Sequence, residues 1–193
     1  MKRSKLIMMI SALLLLGLFL LPMWNITLEA PQYPEPIGMD IHINRIADMN
    51  PNDVKNINIM NHYVGMKEIP EHLEEFEIFP VVVISMVVLG LLFGFIGRRP
   101  LYLTWFILFA LLCIAGMYDF YLWEYDYGHS LDPKAAIQFM NPDGSPMAYQ
   151  PPLIGTKTIL NFVAHSYPRS GAIFIVLGLI GSLWAYFKAA KEN

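Results

Sequence analysis

The sequence predicts an all-α membrane protein, with four transmembrane helices and two long extracytoplasmic loops that form a small mixed cap. Three observations predict it. The 193 residues are 55% hydrophobic, with mean hydropathy +0.44 and only 15% charged, a balance rare in a water-soluble domain of this length. The apolar residues gather in four windows, 6–24, 78–96, 101–118 and 171–187, each free of Asp, Glu, Lys and Arg. A helix needs roughly 17–25 such residues to cross a hydrocarbon core of about 30 Å, and every window is of that size. Finally, the basic residues are placed asymmetrically. Segments 1–5, 97–100 and 188–193 hold Lys2, Arg3, Lys5, Arg98, Arg99, Lys188 and Lys191 against a single acid, Glu192. The long segments between the windows hold six Lys or Arg and fifteen acids. Lys and Arg accumulate on the cytoplasmic side of a membrane. Both termini are therefore expected in the cytoplasm and both long loops in the periplasm, at a bacterial inner membrane.

The chain then divides into an N-terminal transmembrane anchor (1–24), a first periplasmic loop (25–77) and a transmembrane hairpin (78–118). A second periplasmic loop (119–169) and a C-terminal transmembrane helix with a cytoplasmic tail (170–193) complete it. The first window begins like a secretory signal, but "LLPMWNITLEAP" has neither an A-x-A cleavage site nor a lipobox cysteine. An uncleaved anchor is favoured. The turn "GRRP" is short, so spans two and three form a tight hairpin, with Pro100 suited to a first helical turn. The only cysteine, Cys113, lies mid-span, which excludes an intramolecular disulfide and any CxxC metal or redox motif.

Within the first loop, "PQYPEPIG" reads as an extended, proline-spaced linker. "MDIHINRI" alternates as a short strand would, with Asp40 and His42 on one face. In "NPNDVKNINIMNHYVGM", Asp53 is placed as an N-cap, and Ile57, Met60 and Val64 recur at helical spacing. That helix sets Asn58, His62 and Met66 on one face. Alternation at Ile57 and Ile59 leaves a strand open as well. The second loop starts with "YDFYLWEYDYGHSLDP", an aromatic belt of the kind found at headgroup level. Further on, "LIGTKTILNFVAH" is expected to form a short surface or re-entrant helix.

All five histidines, His42, His62, His72, His129 and His165, fall in the loops. Solvent-exposed loops are also where histidine ordinarily resides. Beside them stand Met39, Met60, Met66, Met140 and Met147. Thioether and imidazole together form a soft ligand set that favours Cu(I). The candidate copper ligands are His62 and Met66, completed by His42, Met39 and His129; for each methionine, ordinary packing stands as the competing explanation. A harder N/O site for Zn²⁺ or Cu²⁺ from Asp126, His129 and Glu124 with Asp40 and His42 is the other metal reading. The sequence carries no HExxH, GxSxG, phosphate-binding glycine loop or haem CxxCH. The spans hold no histidine for haem and no ionisable residue in their centres for an ion path.

The motifs "NIMNHYVGMKEI", "YDYGHSLDPKAAIQF" and "YQPPLIGTKTILNF" resemble small membrane proteins encoded beside nitrous oxide reductase and its copper-delivery lipoprotein in bacterial gene clusters. The likeness spans most of residues 25–165. It implies a setting, periplasmic copper-enzyme maturation, rather than a mechanism.

The expected function is thus a non-enzymatic, membrane-anchored copper-handling factor serving a copper enzyme such as nitrous oxide reductase. Its partners would be the lipid bilayer and either that enzyme or its copper chaperone; no nucleic acid is expected. The alternative is a structural or docking subunit of an electron-transfer complex, whose acidic loops attract a basic partner such as a c-type cytochrome.

Overall fold

The computed structural model describes residues 2–192 and shows a mixed α/β fold: five α-helices and a five-stranded antiparallel sheet. The all-α expectation is therefore wrong, and so is the count of four spans. Three helices are long and apolar enough to cross a membrane: α3 (Glu75–Ile96), α4 (Arg99–His129) and α5 (Ala172–Ala190). The first window fails for a local reason. Helix α1 (Arg3–Leu14) has 12 residues and is about 18 Å long at ~1.5 Å per residue. It then tightens into a 3-10 segment, Leu15–Phe19. Pro22 follows, with no N–H to continue a helix, and Trp24, the last residue of the window, already belongs to a strand. Apolar composition alone does not reveal that change.

Helix α1 packs against α3 and α5, burying Ser4, Met8, Ser11 and Ala12. Small residues let the helices approach closely, as in membrane helix packing generally. A Cβ on Gly90 would sit 2.5 Å from the Ala12 Cβ, and one on Gly94 2.5 Å from Met9 Cγ. The fully buried Trp105 and Tyr102 fill the space between helices, and Trp105 Nε1 donates to the Met86 carbonyl at 2.9 Å. One end of the bundle is pinned by polar contacts. Lys5 Nζ donates to the Phe95 carbonyl at 2.7 Å and Ser4 Oγ to the Glu192 carboxylate at 2.7 Å.

Helix α4 has 31 residues, about 46 Å, well beyond the ~30 Å of a hydrocarbon core. Its Asp119 lies close enough to Glu75, in the first turn of α3, for their charges to interact. Residues 120–129 therefore project past α3 into the cap. The sequence reading treated this stretch as a loop with an aromatic belt. It is helical, with its aromatics sorted by face: Phe120, Trp123 and Tyr127 join the cap core with Ile26, Ile37, Met39 and Ile57, whereas Tyr121 and Tyr125 are exposed. The Trp123 and Tyr127 rings lie 4.6 Å apart, and Trp24 meets Phe120 edge-on at 5.6 Å.

The sheet joins the two long loops. Its strands are β1 (Trp24–Glu29), β2 (Ile37–Ile41), β3 (Ile46–Asp48), β4 (Gly155–Ile159) and β5 (Phe162–Pro168), in the order β3-β2-β1-β5-β4. Strand β1 is central, with Thr27 opposite Gly38 of β2 and His165 of β5. The single strand expected over 39–46 is two, because the chain reverses at 42–45, where the His42 N–H donates to the Arg45 carbonyl at 2.8 Å. The helix expected in 153–165 is instead the β4–β5 hairpin, turning at Leu160 with φ 59°. Its Thr, Ile and Val residues suit a pleated surface.

Helix α2 (Asp53–Val64) packs on β2 and β3, as its periodicity predicts, but it is capped differently. Asp48 takes the capping role: its Oδ1 accepts the Val54 N–H at 2.7 Å and its Oδ2 that of Asn52 at 3.3 Å. Asp53 is 3% exposed and ties helix to sheet, Oδ2 accepting the N–H groups of Gly38 and Asn50 at 2.9 Å each.

Candidate functional site

Between the inner sheet face, α2, the projecting end of α4 and the segment 137–162 lies a cavity of about 400 Å³. That size lies within the range of small-molecule sites, about 300–1,000 Å³. Its walls follow from local structure. Alternation along β1 and β2 turns Ile26, Leu28 and Met39 inward, and Ala164 of β5, fully buried, completes the sheet wall. Helix α2 adds Ile57, Met60 and Asn61 at helical spacing, while α4 adds Trp123, Glu124 and Tyr127. Tyr63, Ile137 and Phe139, all substantially exposed, border its open side.

Gly65 shapes this edge. It ends α2 at φ 82°, in the left-handed region where glycine is at ease. A Cβ there would lie 2.8 Å from the Ala135 Cβ. The space left free admits the 132–137 segment, whose Asp132 N–H donates to the Gly65 carbonyl at 2.8 Å and whose Ile137 N–H donates to that of Tyr63 at 3.0 Å.

Glu124 is the exceptional residue in the cavity. It is 0% exposed, and neither carboxyl oxygen has a hydrogen-bond partner. Among the described residues, no other acid and no Lys, Arg or His lines the space. Removing a carboxylate from water without a counter-charge disfavours its ionised form. Burial accordingly pushes the Glu124 carboxyl up to about 8. At neutral pH it is mainly a carboxylic acid, able to donate one hydrogen bond and accept others.

The structure divides the five candidate copper ligands. Met39 and Met66 line the cavity, together with Met60. His62 does not. It is exposed on the other side of α2, bordering a separate polar groove with Asp48, Lys55 and Glu68. The helical face proposed for Asn58, His62 and Met66 breaks at Gly65, since α2 stops at Val64 and Met66 lies beyond the turn. His42 is buried at the β2–β3 turn with Nδ1 unpartnered. Burial, then the Arg45 charge, holds its imidazole below the usual range, against an opposing pull from Asp40. His129 is exposed at the end of α4, its ring stacked 3.9 Å from that of Tyr125 and Nδ1 2.9 Å from the Tyr125 carbonyl. Among the described residues, no three His, Cys, Asp or Glu side chains gather as a metal-binding group.

The harder ligand set is divided as well. Asp126, on the exposed side of α4, pairs with Lys67 at 2.6 Å; the hydrogen bonds from Lys67 and Ser130 hold its carboxyl below the usual range. Glu124 points the other way. The sequence places it only in the hard N/O ligand set with Asp126 and His129. The signal that identifies it is a lone acid within an aromatic stripe at helical spacing: Phe120, Trp123, Glu124, Tyr127.

A second polar cluster occupies the outer sheet face. His165 Nδ1 lies 2.8 Å from Thr156 Oγ1 and Nε2 3.2 Å from Glu29 Oε1. Thr156 pairs with His165 across β4 and β5, so strand register accounts for their contact, and Glu29, opposite Val163 on β1, reaches His165 diagonally. The Glu29 side chain is 56% exposed. Compared with family models, with curated proteins and with solved structures, the chain matches none.

Proposed function

We propose that this chain is a membrane-anchored binding protein whose cap receives an apolar molecule at the periplasmic side of a bacterial inner membrane. One observation carries the reading: a cavity of about 400 Å³, apolar almost throughout, is built from the long segment before α3, the projecting end of α4 and the segment between α4 and α5. Its orientation rests on the Lys and Arg content of the short segments. Pockets that are largely preformed and apolar, with few polar groups, are the usual form of a small-molecule site. The protein is assigned no catalytic step.

The test is saturable binding of N-phenyl-1-naphthylamine to the protein in lipid nanodiscs, corrected against empty nanodiscs. Ala164→Phe, which fills the cavity from its fully buried sheet wall, is expected to abolish the saturable component. Equal binding by wild type and an Ala164→Phe variant of unchanged melting temperature would contradict the reading.

A second reading is favoured by a separate observation. Met39, Met60 and Met66 line the same cavity, and a thioether set suits Cu(I). In this version the cap holds copper for delivery to an enzyme such as nitrous oxide reductase, through methionines alone rather than the mixed His and Met set first expected. Chelator competition for Cu(I) tests it. Changing the three methionines to Leu is expected to remove the site, and His62→Ala or His129→Ala to leave it intact. Copper affinity unaffected by the triple change would rule this version out.

A further inference from the structure

We infer that the cavity's ligand is an apolar molecule with an uncharged hydroxyl or carbonyl head, and that Glu124 recognises this head through its carboxyl group. The inference rests on the reading of the cavity as a binding site, and deepens it by naming the ligand class.

The first support is the isolation of Glu124. The side chain is fully buried and both oxygens are unpartnered, although a buried polar group without a partner is costly. A leucine of similar volume would fit the surrounding apolar wall without that cost. Glu124 belongs to the cavity wall, and its two oxygens, closed off from the space in this conformation, gain a partner when the side chain turns toward a polar group in the cavity.

Charge then selects the head group. Among the described residues, no Lys, Arg or His lines the cavity to neutralise an anion, so a carboxylate or phosphate head would lie unpaired beside an acid. A cationic head would require Glu124 to ionise in apolar surroundings, and attraction between two buried charges often fails to recover their desolvation. A hydroxyl or carbonyl needs no charge. It can accept the carboxyl proton, and a hydroxyl can also donate to the second oxygen.

The apolar part of the ligand is set by the remaining wall. Ile26, Met39 and Ile57 lie on the buried side, and Ile137 and Phe139 on the exposed edge. An alkyl or isoprenoid chain would run from Glu124 toward that edge. Three methionines provide an adaptable surface for such a chain.

The experiment uses full-length protein in nanodiscs and three photoreactive probes: dodecanol, dodecylamine and dodecanoic acid, each with a diazirine at the chain end. Labelled peptides are mapped by mass spectrometry. The alcohol is expected to label cavity-wall peptides at a concentration about tenfold lower than the amine or the acid. Glu124→Leu should raise the concentration needed for the alcohol by about tenfold, the scale of one net hydrogen bond. Glu124→Gln, which still donates and accepts, should stay within about threefold of wild type. Preference for the amine or the acid would overturn the inference, as would alcohol labelling unchanged by Glu124→Leu. If all three probes label the wild-type cavity equally and Ala164→Phe blocks them all, the binding site stands and the role of Glu124 falls. If none labels it, both readings fall.

Discussion

Replacing Glu124 with Gln or Leu is expected to stabilise the protein by an amount that grows with pH. The ordinary value for this carboxyl is 4.5, and burial raises it to about 8 in the folded protein. Below pH 4.5 the carboxyl is protonated whether folded or unfolded, and ionisation costs nothing. Between 4.5 and about 8 the folded chain keeps a proton that the unfolded chain has released, so stability falls by about 1.4 kcal/mol per pH unit. Above pH 8 both forms are ionised and the loss levels off. At pH 7 the gap spans about 2.5 units, or roughly 3 kcal/mol. Glu124→Gln removes this titrating part, and Glu124→Leu also removes the cost of an unpartnered polar group, about 1–3 kcal/mol. The other titratable groups lining the cavity are Tyr63, Tyr127 and Tyr149, common to all three proteins, so differences between them isolate Glu124. The assay is denaturant unfolding in micelles, followed by tryptophan fluorescence, across the range from about pH 5 to about pH 8. A wild-type-to-Gln gap that does not widen with pH, or a Leu variant less stable than wild type at neutral pH, would refute the reasoning.

Other positions give further tests. Asp53→Ala leaves the N–H groups of Gly38 and Asn50 without their acceptor, and should cost about 2–4 kcal/mol in the same unfolding assay. Gly90→Leu must displace Ala12, whose Cβ is 2.5 Å from the added carbon, and should destabilise by about 1–3 kcal/mol. Gly116→Ala is its control, since beyond its chain neighbours and the helix's own backbone nothing lies within 4 Å of the new Cβ; helix propensity predicts a gain of up to about 1 kcal/mol. Gly65→Ala strains a residue at φ 82° and crowds Ala135, at a cost of about 1–2 kcal/mol. Its amide exchange should accelerate selectively over residues 131–139.

What could be read from the chain depended on the range of the interactions involved. Spans α3 and α5, and the apolar part of α4, were legible because each stands as an uninterrupted charge-free run. Helix α2 was legible from Ile57 and Met60 at helical spacing. The first window misled because a run ending at Trp24 has the same composition whether its last residues extend a helix or enter β1. The sheet was mostly invisible because β1 pairs with β5 across more than a hundred residues. That partnership leaves no local mark, and a β4–β5 sequence rich in Thr and Ile also fits a short amphipathic helix. In the site, of the expected copper ligands, Met39 and Met66 were brought to one cavity. The histidines were not, since Gly65 breaks the face on which His62 and Met66 were to meet. Glu124 was masked by the neighbouring Asp126, although the two face opposite sides of one helix.

The most direct measurement is the infrared carbonyl band of protonated Glu124 in nanodisc-embedded protein at neutral pH, assigned by its disappearance in Glu124→Gln, before and after dodecanol is added. The account predicts a protonated band from an unbonded carboxyl that shifts to lower frequency as the alcohol binds. A carboxylate signal alone, or a protonated band that dodecanol leaves unmoved, would contradict it.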